Sequence, residues 1–174
     1  MIKVMITVPI KNPKEKGNNF ERKIAKKLSD WSGVKFMRTP MSGAIHNFKD
    51  KRVVSDIVPP LSIGNFPFSI ECKNVNCSWE FSGIIDGTSI TLEKHWDQCV
   101  KDAEQESLLP LLIFTKNYRQ VYSVLEKEVF DKFNLKMTSW IEVYSERYKK
   151  PLVIFDFDEF LSKTSLQNLQ STCI

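Results

Sequence analysis

The 174-residue chain is poor in the residues that build metal fingers and disulfide scaffolds. It has four cysteines, Cys72, Cys77, Cys99 and Cys173, with no C-x-x-C pair, and only two histidines, His46 and His95. A zinc site is short of ligands, and this cysteine density does not make a disulfide framework. Reduced thiols packed as small core residues in a cytoplasmic protein are the expectation. No stretch approaches the ~20 apolar residues of a membrane span. The apolar opening, Met1 to Ile10, lacks a small-residue cleavage site and is not read as a signal peptide. There is no internal repeat and no long linker, so one compact domain over 1–174 is expected.

What is present is apolar enough for one core, with 42% hydrophobic residues. The net charge of +4 permits a nucleic-acid partner without demanding one. Its placement says more. Lys11, Lys14, Lys16, Arg22, Lys23, Lys26, Lys27, Lys35, Arg38, Lys49, Lys51 and Arg52 crowd one stretch that holds few acids.

Periodicity gives a coarse order of elements. Met1 to Pro9 suits a short strand or arm, and Lys11 to Asn19 a polar loop. Phe20, Ile24, Leu28 and Trp31 recur at helical spacing, predicting a helix from Asn19 to Trp31 stopped by Gly33. Strands are expected at Val34 to Arg38, Val53 to Val58 and Pro67 to Lys73. An exposed loop rich in cations, Thr39 to Arg52, separates the first two. A second helix follows at Leu92 to Glu106, then a buried strand at Leu109 to Thr115. A strand at Gln120 to Leu125 and a short helix at Glu126 to Leu135 come next. Ile141 to Tyr144 and Leu152 to Phe155 suit edge strands, and the last dozen residues look frayed. This is an α/β (α+β) domain with a mixed sheet flanked by helices.

One strand carries the chemistry. In Ser69-Ile70-Glu71-Cys72-Lys73, alternation sends Ile70 and Cys72 to one face and Ser69, Glu71 and Lys73 to the other. A hairpin would bring Asp56 beside Glu71. Two close carboxylates repel, and a divalent cation relieves the repulsion. Mg²⁺ takes one or two carboxylates plus water and phosphate oxygens, so Asp56, Glu71 and the Cys72 backbone carbonyl are candidate ligands, with Mn²⁺ as a substitute. Lys73 could then position a water or stabilise charge on a phosphate. Glu21 shares its helix face with Ile24, Ala25 and Leu28, so it lies on the packed side and needs a partner, such as a water on the metal. The same spacing lets Asn18 and Glu21 form a capping box.

Asp56 followed by Glu71-Cys72-Lys73 resembles the PD-(D/E)xK nuclease motif, with Ser55 where a proline often stands. Lys16-Gly17-Asn18-Asn19-Phe20-Glu21-Arg22 resembles the opening of archaeal-type Holliday-junction resolvases and related phage enzymes. Arg38-Thr39-Pro40-Met41-Ser42-Gly43-Ala44 resembles their loop after the first strand, and Gln98 the Gln or Lys often near these sites. The resemblance covers about Lys16 to Thr115. It implies a restriction-endonuclease-like core (about 16–125) with a C-terminal extension (about 126–174), a homodimer, Mg²⁺ dependence and cleavage of branched DNA. It also implies that a phage-encoded form acts in the host cytoplasm. The implied catalytic set is Glu21, Asp56, Glu71, Lys73 and Gln98. Lys16, Arg22, Arg38, Ser42, Gly43, His46, Lys49, Lys51 and Arg52 are candidate DNA contacts.

Blander readings exist for each part. Glu71 and Lys73 suit an exposed strand pair, Asp56 a turn before Pro59, and the cations a solvated face. His95 and Trp96 suit core or rim. Another PD-(D/E)xK nuclease acting on duplex or single-stranded DNA is the alternative enzyme. A non-catalytic DNA-binding protein is a third reading, against which the four intact residues Glu21, Asp56, Glu71 and Lys73 argue.

Overall fold

A computed structural model describes residues 12–39, 54–75, 90–116, 119–145 and 149–172. The arm expected before Pro9 lies outside these residues, as does almost all of the cation-rich loop.

The first helix, α1 (Pro13–Ser32), begins a turn and a half earlier than the hydrophobic spacing predicts. The Asn12 side chain accepts a 3.0 Å hydrogen bond from the Lys14 N–H, and Pro13 occupies the first helical position. Proline costs little there, because its missing N–H would have no helical partner anyway. The polar stretch from Lys14 to Asn19 is therefore helix and not loop. The capping box is excluded too, since Asn18 lies inside the helix. Gly33, at φ 73°, ends α1 in the left-handed region and donates its N–H to the Ser29 carbonyl.

Seven strands form one mixed sheet in the order β1-β2-β3-β4-β5-β7-β6 among the described residues. β1 (Met37–Arg38) and β2 (Ile57–Val58) are only two residues each, shorter than expected. β1 pairs antiparallel with β2, and β2 with β3 (Phe68–Val75). The Cys72 N–H, which a longer β2 would engage through its backbone, donates instead to the Asp56 carboxylate at 2.9 Å. β3 and β4 (Leu109–Lys116) run parallel over eight residue pairs, from Phe68 opposite Leu109 to Val75 opposite Lys116. A parallel pair needs a crossover, which contains α2 (Ile90–Glu106).

β5 (Val121–Glu126) follows antiparallel to β4, and α3 (Lys127–Lys132) follows β5. β6 (Trp140–Ser145) is an edge strand as expected, but β7 (Lys150–Asp156) is not. β7 inserts between β5 and β6 because both its faces are apolar. Leu152 and Ile154 join one core cluster, Val153 and Phe155 the other. A continuous apolar run of this kind belongs inside a sheet.

The chain's tail is also more ordered than its composition suggests. Asp156 caps α4 (Phe157–Lys163) through the Glu159 N–H at 2.6 Å, and Ser165 caps α5 (Leu166–Ser171). Phe157, Phe160 and Leu169 are buried. The Gln170 amide donates to the Ile63 carbonyl, beside a 3-10 turn at Leu61–Ile63.

The helices divide between the sheet's faces. α1, α3, α4 and α5 contribute to a core with Ile57, Phe68, Ile70 and Cys72. On the other face Leu92, Trp96 and Cys99 of α2 pack with Val75, Leu112 and Phe114. Cys72 and Cys99 are free and buried, as small core residues. Among the described residues no helix is long and apolar enough to cross a membrane.

Candidate active site

The site grows from the strand alternation of β3. Ile70 and Cys72 enter the α1-side core, which leaves Glu71 and Lys73 on the face covered by α2. Glu71 is only 3% exposed, so it is no surface carboxylate. Its Oε1 forms an ion pair with the Lys73 ammonium. Lys73 Nζ also donates to Gln98 Oε1 on α2 at 2.9 Å.

Asp56 stands immediately before β2. Its N–H donates to the Ile70 carbonyl at 2.9 Å, and its Oδ2 accepts from the Cys72 N–H. The carboxylate is thus fixed against β3, and it is buried at 7% exposure. The exposed reading of Glu71 fails on burial, while Asp56 does lie in a bend before β2 but is buried and held against β3.

These acids disturb one another. Burial first, then the Asp56 charge, pushes Glu71 up to about 8 from its ordinary 4.5, against the pull of Lys73. Burial alone would lower the Lys73 ammonium, but contact with Glu71 and the nearby Asp56 leave it above the usual lysine value. Glu21 is raised too, by burial and then by Asp56, while a hydrogen bond from Arg38 opposes the shift. These are the electrostatics of carboxylates held together with too little positive charge.

Arg38 supplies the partner that a buried Glu21 requires. Its Nε donates to Glu21, and its Nη2 to Asn18 at 2.7 Å. Hence two turns of α1 are tied to β1 by one guanidinium.

The structure brings Glu21, Asp56, Glu71, Lys73 and Gln98 near one another: Glu71, Lys73 and Gln98 through direct contacts, Asp56 and Glu21 through the charge they exert on the group. It treats the predicted cations unevenly. Lys16 is buried in α1 and not a solvated side chain, Arg38 is engaged with Glu21, and Arg22 is exposed and donates to Asn19. Ser42, Gly43, His46, Lys49, Lys51 and Arg52 lie outside the described residues. His95 is half-buried and Trp96 fully so; burial, then Lys73, lowers His95 to about 4, so it is neutral at pH 7.

Two features escaped the sequence reading. Glu106 accepts from the Ser55 N–H at 3.1 Å and from its hydroxyl, and Ser55 Oγ meets Ser69 Oγ at 2.7 Å. Ser55, standing where the motif often has proline, therefore fastens the Asp56 segment to α2. Asp102, raised mainly by burial, accepts a hydrogen bond from Gln98 and adds to the charge near Glu71. The available signal was the spacing of Gln98, Asp102 and Glu106 at i, i+4 and i+8, one polar stripe on α2.

Among the described residues no three His, Cys, Asp or Glu side chains gather in a metal-holding group. Two buried carboxylates in need of positive charge nonetheless fit a hard divalent cation, which completes its shell with water and phosphate oxygens.

The seven-stranded mixed sheet with its flanking helices is consistent with a PD-(D/E)xK nuclease-like core, with Asp56 just before β2 and Glu71 and Lys73 on β3. The family model described as "Phage putative PDDEXK endonuclease" matches residues 12–171, and the chain belongs to that family. The match runs through β5, β6 and β7 to α5, beyond the region carrying the sequence resemblance. The chain is also similar to "Protein D14" of Escherichia phage T5, 29% identical over 163 residues, covering 90% of this chain and 96% of that protein. No solved structure matches. Membership of this family points to a nuclease, a class that acts on DNA and typically uses divalent metals.

Proposed function

We propose that this chain is an Mg²⁺-dependent DNA endonuclease that resolves branched DNA, working as a homodimer on four-way junctions, with Mn²⁺ as a substitute ion. The observation that carries the metal-dependent part is the buried pair Asp56 and Glu71, with Glu71 holding its proton up to about pH 8 despite a lysine in contact. A fold keeps such a pair at a cost to stability, and a cation offsets that cost.

In this reading Asp56, Glu71 and the Cys72 carbonyl hold the ion, and Glu21 reaches it through water. Bound there, the cation would lower the pKa of a water and neutralise phosphate charge. Lys73 holds the attacking water and stabilises negative charge on the phosphate, while Gln98 fixes the ammonium by accepting one of its hydrogens. Arg38 orients Glu21. Lys16, Arg22 and Arg38, with Ser42, Gly43, His46, Lys49, Lys51 and Arg52 of the loop, follow the DNA backbone. Burial of Lys16 and the engagement of Arg38 favour positioning roles for those two.

The junction preference rests on the resemblance of the segments 16–22 and 38–44 to resolvases. Two symmetric cuts are most simply made by a twofold dimer. A second reading keeps the chemistry and changes the substrate to linear duplex or single strands, since the family's description specifies only an endonuclease. Offering four-way junctions, Y-forks, linear duplex and single strands side by side, with and without Mg²⁺, separates the two. Paired nicks in junctions by a dimer support resolution. A monomer that degrades linear duplex equally well removes the junction claim and leaves the nuclease.

A further inference from the structure

Thr39 directly follows the first strand, and its side chain has a property that packing does not explain. The residue is 2% exposed, yet its hydroxyl has no hydrogen-bond partner. A buried hydroxyl without a partner is costly, and threonine has no packing advantage over the isosteric valine that would compensate.

Its surroundings are chemically specific. The Thr39 N–H donates to the Asp56 carbonyl at 2.9 Å, so Thr39 is the cross-strand neighbour of Asp56. Arg38, the preceding residue, sends its side chain to Glu21 on α1. Alternation turns the Thr39 side chain to the opposite face, the one that carries Glu71 and Lys73. Asp56 at 7% and Glu71 at 3% are covered as fully as Thr39. The hydroxyl thus lies on the same face as those carboxylates and one strand away from Asp56. Ser123 gives the contrast. Its hydroxyl is equally unpartnered, but it lies deep in the sheet, opposite Ile113 on β4 and Phe155 on β7, where no ligand is called for.

We propose that the Thr39 hydroxyl is a positioning group for the bound strand, donating its hydrogen bond to a phosphate oxygen beside Asp56. The inference rests on the nuclease reading. Asp56 and Glu71 would hold the cation on this face, which would supply attraction for phosphate oxygens, and an uncharged donor there would fix their orientation without competing for the metal. Donation to an anionic oxygen satisfies the orphaned hydroxyl when substrate is present. Thr39 thereby adds a second group beside β1, next to Arg38, to a site built from α1, β1, β2, β3 and α2.

The test compares Thr39→Val, Thr39→Ser and the control Ser123→Ala with the wild type. Each is assayed for single-turnover cleavage with Mg²⁺, for DNA affinity against salt in chelator, and for thermal stability. Thr39→Val should cleave about tenfold to a hundredfold more slowly, the range expected for a lost hydrogen bond to a charged group. Its melting temperature should be equal or higher, and the salt slope of its DNA affinity unchanged, because a hydroxyl displaces no counterion. Thr39→Ser should retain near-normal cleavage, and Ser123→Ala should cleave normally. Thr39→Val cleaving at the wild-type rate overturns the proposal. So does a loss of cleavage in both Thr39 variants accompanied by a fall in melting temperature, which would make the residue structural. A wild-type protein that cleaves no DNA in any divalent ion refutes the nuclease reading itself, and this inference with it.

Discussion

The two ends of the sheet solve opposite problems. At one end, β1 and β2 are two residues long, and beside the apolar core residues Phe36, Ile57 and Ile70 a group of polar side chains is buried: Thr39, Ser55, Asp56, Ser69 and Glu71, with Glu21 from α1. At the other, β5, β7 and β6 pair over long registers, and their buried residues are mostly apolar, such as Val124, Leu125, Val153 and Phe155. Burying charge lowers stability and burying hydrocarbon raises it. The polar end can hold strained electrostatics because the apolar end shares the same continuous sheet. This comparison also gives the C-terminal third a physical role, as the buttress of a costly site.

The comparison can be broken most severely at the polar end. Asp56→Asn or Glu71→Gln should reduce cleavage by about a thousandfold or more, since losing a metal-binding charge is worth several kcal/mol in the transition state. Both variants should remain folded by circular dichroism and still bind DNA. Cleavage at the wild-type rate by Asp56→Asn would remove the proposed metal site.

The apolar end should answer in the opposite currency. Phe155→Ala leaves a hole between β7 and the aromatic rings of Phe130 and Phe160, and should cost about 3–5 kcal/mol by urea titration. Cleavage per folded molecule should barely change. If it fell as far as in Asp56→Asn, the division of labour between the two ends would be wrong.

A third measurement sharpens the contrast through pH. In chelator, Glu71 keeps its proton up to about pH 8 when folded, against an ordinary value of 4.5. Between those values the folded protein binds a proton that the unfolded chain has released. Stability from this group is therefore complete below about 4.5, declines as pH rises, and is lost above about 8. Glu21 and Asp102 are shifted in the same direction. Glu71→Gln should thus stabilise the metal-free protein by a margin that grows from pH 5 to pH 8 and reaches roughly a few kcal/mol. Adding Mg²⁺ should stabilise the wild type more at pH 8 than at pH 6. A pH-independent margin would show that Glu71 ionises normally.

The smallest effect is expected where the tail meets the body. Gln170→Ala removes the hydrogen bond to the Ile63 carbonyl and should cost about 1 kcal/mol. Thermal melting resolves such a change, and none at all would mean that α5 is held by Leu169 alone.

The site was legible in the sequence where chemistry and periodicity coincide. Glu71 and Lys73 alternate with Ile70 and Cys72, so strand geometry alone put them on one face. Glu21 showed itself by standing among Ile24, Ala25 and Leu28. The helix start was missed because Pro13 and Gly17 suggested a loop, whereas Asn12 and Pro13 together form a cap. The interior place of β7 was missed because pairing order is a nonlocal property. Its four-residue apolar run signalled burial on both faces without identifying its neighbours. The ordering of the tail was hidden behind polar residues, since Ser165 and Asp156 act by capping and single residues such as Leu169 do the packing. Ser55 and Glu106 could not be paired from sequence, being 51 residues apart.

The Gln170 contact bears on how the molecule is made. Ile63 lies in the turn between β2 and β3, and the residue that clasps it, Gln170, comes 107 residues later in the chain. A growing chain would leave that turn uncovered until α5 has been made. The clasp then works as a latch between distant parts of the chain, so that chains lacking α5 would carry a looser turn beside the candidate site.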